Sequence, residues 1–152
     1  MTNLSAKVIV PGACDAPALV TRQPINFVAA LCKAPNLLPF KRAEIRDQHH
    51  DLFGKNIMGS ALVFPSCVGS TYTGLILLEL VSMGHAPAAL IVQSADPLLV
   101  SGIIAAHVWY EKSIPVFEYP GEDIFGAIRT GDRVRIEPGG GQIYVERFAP
   151  PA

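Results

Sequence analysis

Charged side chains are scarce in this sequence. Of its 152 residues 16% are charged, and Lys+Arg 12 against Asp+Glu 13 leave a formal net charge of −1, whereas soluble domains usually carry about 25% charged residues. Half of the residues are hydrophobic, which excludes a disordered chain, because disorder requires low hydrophobicity and high net charge. No cluster of Lys and Arg offers the basic surface that nucleic-acid phosphates require. We therefore expect one globular domain over residues 1–152, part of whose apolar surface is covered by a partner chain.

Long apolar runs and paired cysteines are also missing. No stretch approaches the roughly 18 uninterrupted apolar residues that span a membrane, and the segment from Met1 to Val10 lacks the apolar run of a signal peptide. The three cysteines, Cys14, Cys32 and Cys67, are an odd number at wide spacings, a pattern that fits neither a disulfide framework nor a zinc site. These absences predict a cytoplasmic protein with reduced thiols and no metal of its own.

Short strands and helices alternate through the middle of the chain. Apolar runs predict strands at Lys7–Val10, Ala18–Thr21, Ala61–Phe64, Ala88–Val92 and Ile114–Phe117. Ser70 or Thr71 is the predicted cap of a helix that reaches about Met83. A second helix is predicted from Pro97 to about Tyr110, with Asp96 as its N-cap. This order of elements predicts an α/β fold with a parallel sheet and right-handed crossovers.

The C-terminal part changes from continuous apolar runs to alternation. Between Arg129 and Ile136, Gly131-Asp132 predicts a turn that leads into alternating apolar residues, and a second alternating segment runs from Gln142 to Phe148. This pattern predicts an antiparallel hairpin with one face toward solvent, so the α/β fold gains an antiparallel β-hairpin near its C-terminus.

A loop between a buried strand and a helix holds the residues best suited to chemistry. It runs from Pro65 to Thr73 and includes Gly69 and Ser70. The unpaired N–H groups and positive dipole end of the following helix would stabilise an anion there, and a glycine lets the backbone approach a ligand closely. A serine at this place suits a proton acceptor, although on local pattern alone a helix cap is the commoner role. The segment matches neither the Walker A loop nor the G-x-S-x-G nucleophile motif.

Four segments carry a resemblance to a known family. They are Val10-Pro11-Gly12 with Ala18–Thr21, the stretch from Asp47 to Phe64, the loop from Pro65 to Thr71, and the stretch from Ala86 through Gly102 to Ile114-Pro115. In these segments the chain resembles the small, swivelling subunit of the aconitase X family. The resemblance covers most of the chain from Lys7 to about Val116, and Gly69-Ser70 is its most specific motif.

The resemblance implies a fold and an activity. In this family the small subunit is a mobile β/β/α swivel domain, and a large catalytic subunit holds the iron–sulfur cluster and most substrate contacts. The small subunit supplies a serine, here Ser70, as the proposed base in the elimination of water from a small hydroxy acid. Family substrates include cis-3-hydroxy-L-proline in bacteria and mevalonate 5-phosphate in archaea. Because this chain lacks the Lys and Glu enrichment of hyperthermophiles, we expect cis-3-hydroxy-L-proline.

The residues are compatible with that chemistry. Water elimination needs a base at the C–H bond and a Lewis acid at the departing hydroxyl, a role that iron can fill. Three separated cysteines do not make an iron site, so we expect the cluster on the partner and no activity from this chain alone. We expect the backbone N–H groups of Gly69 and Thr71 to contact a substrate carboxylate, and Ser66 and Cys67 to be structural.

A histidine pair near the middle of the chain suggests a metal site at first sight. His49 and His50 are adjacent, and adjacent side chains rarely face the same ion. We expect Asp47 and His50 to brace the loop before Gly54, with a contribution to the site as the alternative.

Two rival functions remain open. The segment up to Ile114-Pro115 and the C-terminal hairpin also resemble the phosphohistidine domain of phosphoenolpyruvate-utilising enzymes, but Ile104 stands where that domain has its His, and His107 lies nearer to the Ile-Pro pair. A non-catalytic adaptor fits the low charge equally well. Trp109 and Tyr110 are expected in the core or at an interface, and an uncovered interface would let the isolated chain self-associate.

Overall fold

Among the residues that the computed structural model describes, 1–31, 43–69 and 71–151, eight strands form one mixed sheet. In chain order the strands are β1 (Thr2–Ser5), β2 (Lys7–Val10), β3 (Cys14–Val20), β4 (Ala61–Phe64), β5 (Ala89–Val92), β6 (Val116–Glu118), β7 (Arg133–Ile136) and β8 (Gln142–Glu146). The helices are α1 (Phe27–Leu31), α2 (Thr73–Ser82), α3 (Pro97–Tyr110) and α4 (Ile124–Ala127). Across the sheet the strand order is β1-β8-β7-β3-β4-β5-β6-β2.

The centre of the sheet is parallel, as the sequence predicts. Strands β3, β4, β5 and β6 run in one direction, with α2 between β4 and β5 and α3 between β5 and β6. Every residue of β4 and β5 is buried, which explains their continuous apolar sequences, because strands covered on both faces have no polar side. The carboxyl ends of these strands meet at one border of the sheet, which we call the carboxyl edge.

Strand β3 joins the parallel and antiparallel parts of the sheet. Residues 14–17 pair antiparallel with β7, whereas residues 18–20 pair parallel with β4. The strand therefore begins earlier than the predicted Ala18, since Cys14 and Ala16 are buried while Asp15 and Pro17 are exposed, an alternation that a search for continuous apolar runs misses.

The two outermost strands nearly close the sheet. Strands β1 and β2 stand at opposite ends of the strand order, yet a single residue, Ala6, separates them in the chain. The Ala6 N–H donates to the Gly141 carbonyl at 2.8 Å. The predicted hairpin is present beside them: β7 pairs antiparallel with β8, β1 adds to β8, and buried residues alternate with more exposed ones along both hairpin strands.

Two hydrophobic clusters lie on opposite faces of the sheet. One contains Leu62 and Phe64 of β4 together with residues of α1, α2 and α3, and the other contains Ala61 and Val63 of the same strand with residues of α4 and the hairpin. Strand β4 serves both clusters because successive side chains of a strand point to opposite faces. Phe27 of α1 meets Phe64 edge to face, with ring centroids 5.8 Å apart. This contact anchors α1 to the core just below the carboxyl edge.

Helix α2 begins later than predicted. Its first helical residue is Thr73, and Tyr72 holds the N-cap position without a side-chain hydrogen bond. Ser70 lies outside the described residues, and the prediction of Thr71 as the cap is wrong, because Thr71 and Tyr72 form a turn before the helix. At the other end the His85 N–H donates to the Leu80 carbonyl at 2.9 Å, the hydrogen bond of a Schellman ending.

Helix α3 has the predicted bounds and the predicted cap. The Asp96 carboxylate accepts a hydrogen bond from the Leu98 N–H at 2.7 Å. At the crossing of α2 and α3 a Cβ on Gly102 would overlap the Gly74 carbonyl oxygen, so the two helices touch through their backbones. Among the described helices none is both long and apolar enough to cross a membrane.

The outer side of α2 and α3 is apolar and exposed. The exposed fraction of its large side chains ranges from 42% at Leu98 to 68% at Val108. Helix α3 contains no Asp, Glu, Lys or Arg, and α2 contains Glu79 alone. We call the set Leu75, Leu98, Ile104, Val108 and Trp109 the apolar helix face.

Candidate active site

The loop that follows β4 is held by its backbone at the carboxyl edge. The Pro65 carbonyl accepts hydrogen bonds from the N–H groups of Gln93 and Ser94, both at 3.1 Å. One residue further on, the Ile25 N–H donates to the Ser66 carbonyl at 3.1 Å, and the Val68 N–H donates back to the Ile25 carbonyl at 3.0 Å. The loop is therefore tied both to the end of β5 and to the segment between β3 and α1.

Beyond these hydrogen bonds the loop turns outward. Gly69 has a φ of +90°, a conformation that residues with a Cβ rarely adopt. Gly69 and Thr71 are both exposed, and Val68 beside them is 46% exposed. Ser70 lies between them but outside the described residues, so its predicted role as proton acceptor stays a prediction. The structure does place its two neighbours together on an exposed turn at the carboxyl edge.

The late start of α2 changes the expected electrostatics of this loop. The first backbone hydrogen bond of the helix runs from the Ile76 N–H to the Tyr72 carbonyl at 3.2 Å. Gly69 and Thr71 thus precede the first helical turn, and the dipole end of α2 lies further along the chain than the sequence predicts. No hydrogen bond within the described part of the chain occupies the N–H group of Gly69 or Thr71. As far as the described residues are concerned, both groups can donate to a ligand.

A partly buried polar network lies beside the loop. The Thr21 hydroxyl, at the end of β3, donates to Asp51 Oδ1 at 2.6 Å and accepts from the Gln23 N–H at 3.0 Å. The Asp51 N–H donates to Gln23 Oε1 at 3.0 Å. Thr21 is buried and Asp51 is exposed, so the pair links the strand end to the polar turn around residue 50.

His50 ties this turn to the segment that carries Ile25. Its Nε2 lies 3.1 Å from the Pro24 carbonyl, and its Nδ1 lies 3.1 Å from the Leu52 N–H. Because a carbonyl only accepts, Nε2 is the donor in the first contact, and Nδ1 is the acceptor in the second. Asp51 Oδ1 lies 3.2 Å from Nδ1, but that nitrogen already accepts from Leu52, so the contact is not an ion pair in this tautomer. The geometry agrees with the expected bracing role.

Asp47 stabilises the start of the same turn. Its Oδ1 accepts from the His49 N–H at 3.0 Å, and its carbonyl accepts from the His50 N–H at 3.1 Å. The His49 side chain is exposed and the His50 side chain is buried. The two adjacent histidines therefore face different surroundings, as expected of neighbours in a chain.

The two described cysteines, Cys14 and Cys67, do not fit an iron–sulfur cluster. Burial, with a smaller effect of Asp96, raises the pKa of the Cys67 thiol to about 12, and burial, with a smaller effect of Asp15, raises the pKa of Cys14 to about 11. A cluster ligand must be a thiolate, which needs the opposite shift. Cys32 lies outside the described residues. Within the described ranges no group of three His, Cys, Asp or Glu side chains could hold a metal ion.

Asn26 is a residue of this site that the sequence analysis missed. Its side-chain amide packs on Gly69, and its Oδ1 accepts from the Ala29 N–H at 3.1 Å as the cap of α1. An Asn directly before a short apolar run signals a helix cap. That signal predicts the bond to Ala29, but nothing local in the sequence indicates the contact with Gly69.

Comparison with known proteins places this arrangement in a family. The sequence model of the aconitase X swivel domain matches residues 3–145. The chain belongs to the aconitase X swivel domain family. The predicted family and the predicted α/β swivel fold are therefore confirmed.

Two curated relatives in the aconitase X family carry the same name. The phosphomevalonate dehydratase small subunit of Methanopyrus kandleri is 33% identical over 126 residues, which cover 83% of this chain and 84% of that protein. Its namesake from Archaeoglobus fulgidus is 32% identical, over 95% and 97% of the two chains. The crystal structure of Thermococcus kodakaraensis aconitase X superposes with a TM-score of 0.78 at 24% identity, covering 97% of this chain and 100% of the matched chain. This last likeness shows the shared fold.

Proposed function

We propose that this chain is the swivelling small subunit of an iron–sulfur hydro-lyase, which eliminates water from a small hydroxy acid only when a large catalytic subunit is present. The whole chain acts as one swivel domain. The observation that carries the proposal is the exposed turn of Gly69 and Thr71 at the carboxyl edge, around the family's most specific motif, Gly69-Ser70. This placement lets the turn meet a substrate bound mainly by another chain.

Ser70 acts as the proton acceptor in the proposed reaction. The C–H bond of the substrate breaks, its proton passes to the deprotonated Ser70 oxygen and restores the serine hydroxyl, its electron pair forms the new double bond, and the hydroxyl on the neighbouring carbon departs as hydroxide. A serine is a weak base in water, so the turn must be covered by the partner when this happens. The N–H groups of Gly69 and Thr71 donate to the substrate carboxylate. When bound to the partner, the cluster supplies a Lewis acid for the departing hydroxyl.

The large subunit is proposed to cover the apolar helix face. This surface begins beside the turn, because Leu75 and Leu98 stand near the starts of α2 and α3, and it extends along α3 to Val108 and Trp109. Trp109 and Tyr110 are both exposed in the chain, so of the two predicted places, core or interface, the interface is the one that fits. An exposed apolar surface with almost no charge is typical of a face that another protein covers.

The substrate is proposed from the names of the relatives. We place mevalonate 5-phosphate first, because the relatives at 33% and 32% identity are phosphomevalonate dehydratase small subunits. The expectation of cis-3-hydroxy-L-proline rests on the low Lys and Glu content of the chain and stays the second candidate. Cys14 and Cys67 are free thiols, which suits the proposed cytoplasmic location.

Turnover by the assembled complex tests this function. The chain is produced together with its proposed large subunit, and both acids are assayed with the chain alone, with the complex, and with complexes that contain Ser70→Ala or Ser66→Ala. We expect the chain alone to be inactive. We expect Ser70→Ala to lower kcat by about a thousandfold without loss of assembly, because a positioned base contributes roughly 10²–10⁴-fold.

The Ser66→Ala variant is the matched control, since Ser66 belongs to the same loop and contributes its backbone carbonyl to the bond with Ile25. Its turnover should stay close to that of the unaltered complex. An adaptor that only binds its partner would show full turnover with Ser70→Ala. Dehydration of either acid by the chain alone would contradict the proposal.

A further inference from the structure

Asn26 fills the space where a side chain at residue 69 would lie. An ideal Cβ on Gly69 would overlap the Asn26 Nδ2 atom and come within 3.0 Å of its Cγ. Gly69 also has a φ of +90°. The position is thus restricted to glycine twice over, once by backbone conformation and once by the Asn26 amide. The Asn26 amide therefore lies directly beside the Cα of Gly69, in the space that a side chain would occupy.

The Asn26 side chain is itself held in place. Its Oδ1 accepts from the Ala29 N–H at 3.1 Å, and its carbonyl accepts from the Ala30 N–H at 2.8 Å. The preceding residue, Ile25, exchanges two backbone hydrogen bonds with Ser66 and Val68 of the loop. Asn26 therefore cannot move away from Gly69 without losing the cap of α1.

The support extends from Asn26 into the core. Phe27, the next residue, is fully buried and meets Phe64 of β4 edge to face. On the other side the Pro24 carbonyl accepts the Nε2 proton of His50. The segment that carries Asn26 is fixed at both ends, so it forms a rigid wall against which the loop rests.

We propose that Asn26 is a positioning residue: its amide, pressed on Gly69, fixes the backbone from which the chain presents residue 70 to the substrate. The role rests on the proposed function of Ser70. A base displaced by about 1 Å can lose as much as a hundredfold in rate. Asn26 does not touch the substrate, and its effect should therefore appear in kcat.

Asn26→Ser separates the cap from the contact. Serine is a good N-cap, so the variant keeps an acceptor for the Ala29 N–H while the nitrogen on Gly69 is lost. We expect the assembled complex to lose about tenfold in kcat with KM within about twofold, and the chain to melt within about 2 °C of the unaltered chain. Asn56→Ser is the matched control, because Asn56 Oδ1 accepts from the Met58 N–H at 2.9 Å in a turn before the start of β4. Its kcat should not change.

A double-mutant cycle with Gly69→Ala tests the contact directly. In the otherwise unaltered complex Gly69→Ala should lower kcat about a hundredfold. Added to Asn26→Ser, the same substitution should lower kcat only about tenfold, because the alanine Cβ no longer overlaps the Asn26 amide while the strain of the positive φ remains. Unchanged kcat for Asn26→Ser, or additive effects of the two substitutions, would overturn the proposal.

Melting temperatures of the same four chains without the partner separate this proposal from the proposed function. If the unaltered complex dehydrates neither acid, the proposed function fails, and the melting temperatures decide about the contact. A smaller loss from Gly69→Ala in the Asn26→Ser background than in the unaltered chain supports the fixing of residue 69. Equal losses in the two backgrounds overturn it.

Discussion

The two faces of the sheet are covered in different ways. On one face α2 and α3 pack over Leu62 and Phe64, and their outer side is the apolar helix face. On the other face the hairpin and α4 cover the second cluster. The strand positions that point away from this cluster carry paired charges such as Asp15–Arg133, and a second ion pair, Asp132–Arg147, lies beside the hairpin. A surface with paired charges is complete in water, whereas an apolar surface of this kind favours a partner. We therefore expect substitutions at the paired charges to change stability, and substitutions on the apolar helix face to change the proposed assembly.

The low overall charge of the chain is an average over these two sides. The 14 residues of α3 contain no Asp, Glu, Lys or Arg. The four residues of β7 include Arg133 and Arg135, and each is exposed. The low charge of the whole chain suggests a covered surface, and the position of the uncharged helix α3 in the fold indicates where that surface lies. Charges can be introduced or removed on each side to test the distinction.

Loss of Asp132 should have the largest effect on the hairpin side. This buried carboxylate accepts from the N–H groups of Arg129 at 2.9 Å and Phe148 at 3.1 Å and from Arg147 Nη1 at 2.7 Å. Asp132→Ala leaves two backbone donors and one guanidinium without their acceptor. We expect the free energy of unfolding, measured by denaturant titration, to fall by about 3 kcal/mol, a large part of the roughly 5–15 kcal/mol typical of a domain.

Arg147→Met is the matched control for this experiment. It removes the exposed partner of the ion pair but keeps the apolar stem and both backbone hydrogen bonds, so a loss of about 1 kcal/mol is expected. The order of the two effects matters. If Arg147→Met costs as much as Asp132→Ala, then a partly exposed ion pair and not the buried acceptor holds this side together. The hairpin side, whose charges are paired within the chain, would then contrast less clearly with the apolar helix face, which is proposed to bind a partner.

A charge on the apolar helix face should leave folding intact and weaken assembly. Val108 is 68% exposed, so Val108→Glu should change the free energy of unfolding by less than about 0.5 kcal/mol. A carboxylate buried without a partner at the centre of an interface is expected to raise the Kd for the large subunit about a hundredfold. Isothermal titration calorimetry measures this effect.

Asn3→Glu provides the same charge on the other side of the molecule. Asn3 lies on β1, is exposed, and pairs in register with Tyr144 of the hairpin. The Kd of the Asn3→Glu variant for the large subunit should stay within about threefold of the value for the unaltered chain. Equal weakening by both variants, or none by Val108→Glu, would show that the large subunit does not cover the apolar helix face.

Local signals explain which parts of the fold could be predicted. Strands β2 and β4 and helix α3 have the predicted bounds, because a short apolar run, or a Pro that follows an Asp cap, needs no information from distant residues. The start of α2 could not be predicted. Ser and Thr are favoured caps anywhere, whereas nothing local in the sequence indicates the turn that Thr71 and Tyr72 form before the helix.

The candidate site depends more heavily on distant contacts. Gly69 and Thr71 could be named from the motif, but their surroundings come from pairs such as Thr21 with Asp51, 30 positions apart, and from the bonds of Ile25 with Ser66 and Val68. Such contacts follow from the parallel pairing of β3 with β4, which brings the two strand ends side by side. The residues of the loop could thus be predicted from the sequence, but the residues that hold the loop in place could not.

The Asp15–Arg133 pair should give the smallest effect and a characteristic pH dependence. Arg133 Nε and Nη2 donate to the two Asp15 oxygens at 2.7 and 2.9 Å. These hydrogen bonds lower the pKa of Asp15 from its ordinary value of 3.8. The folded pKa is the lower one, so the contribution is complete above the unfolded pKa and is lost as pH falls through the folded pKa. Both groups are exposed, and salt should reduce the effect further.

The melting temperature of the chain should fall when the pH is lowered from about 5 to about 3, and this fall should be smaller in Asp15→Asn. Glu137→Gln is the matched control on the exposed hairpin turn, where the structure gives the Glu137 carboxylate no ion pair within the described residues. In Glu137→Gln the melting temperature should fall between about pH 5 and about pH 3 almost as much as it does in the unaltered chain. If Asp15→Asn has the larger effect on stability at pH 7 than Asp132→Ala, exposed charges matter more than buried acceptors on this side. The two surfaces would then differ only in how much charge they carry. Whether the polar groups of a surface are paired within the chain would no longer distinguish them.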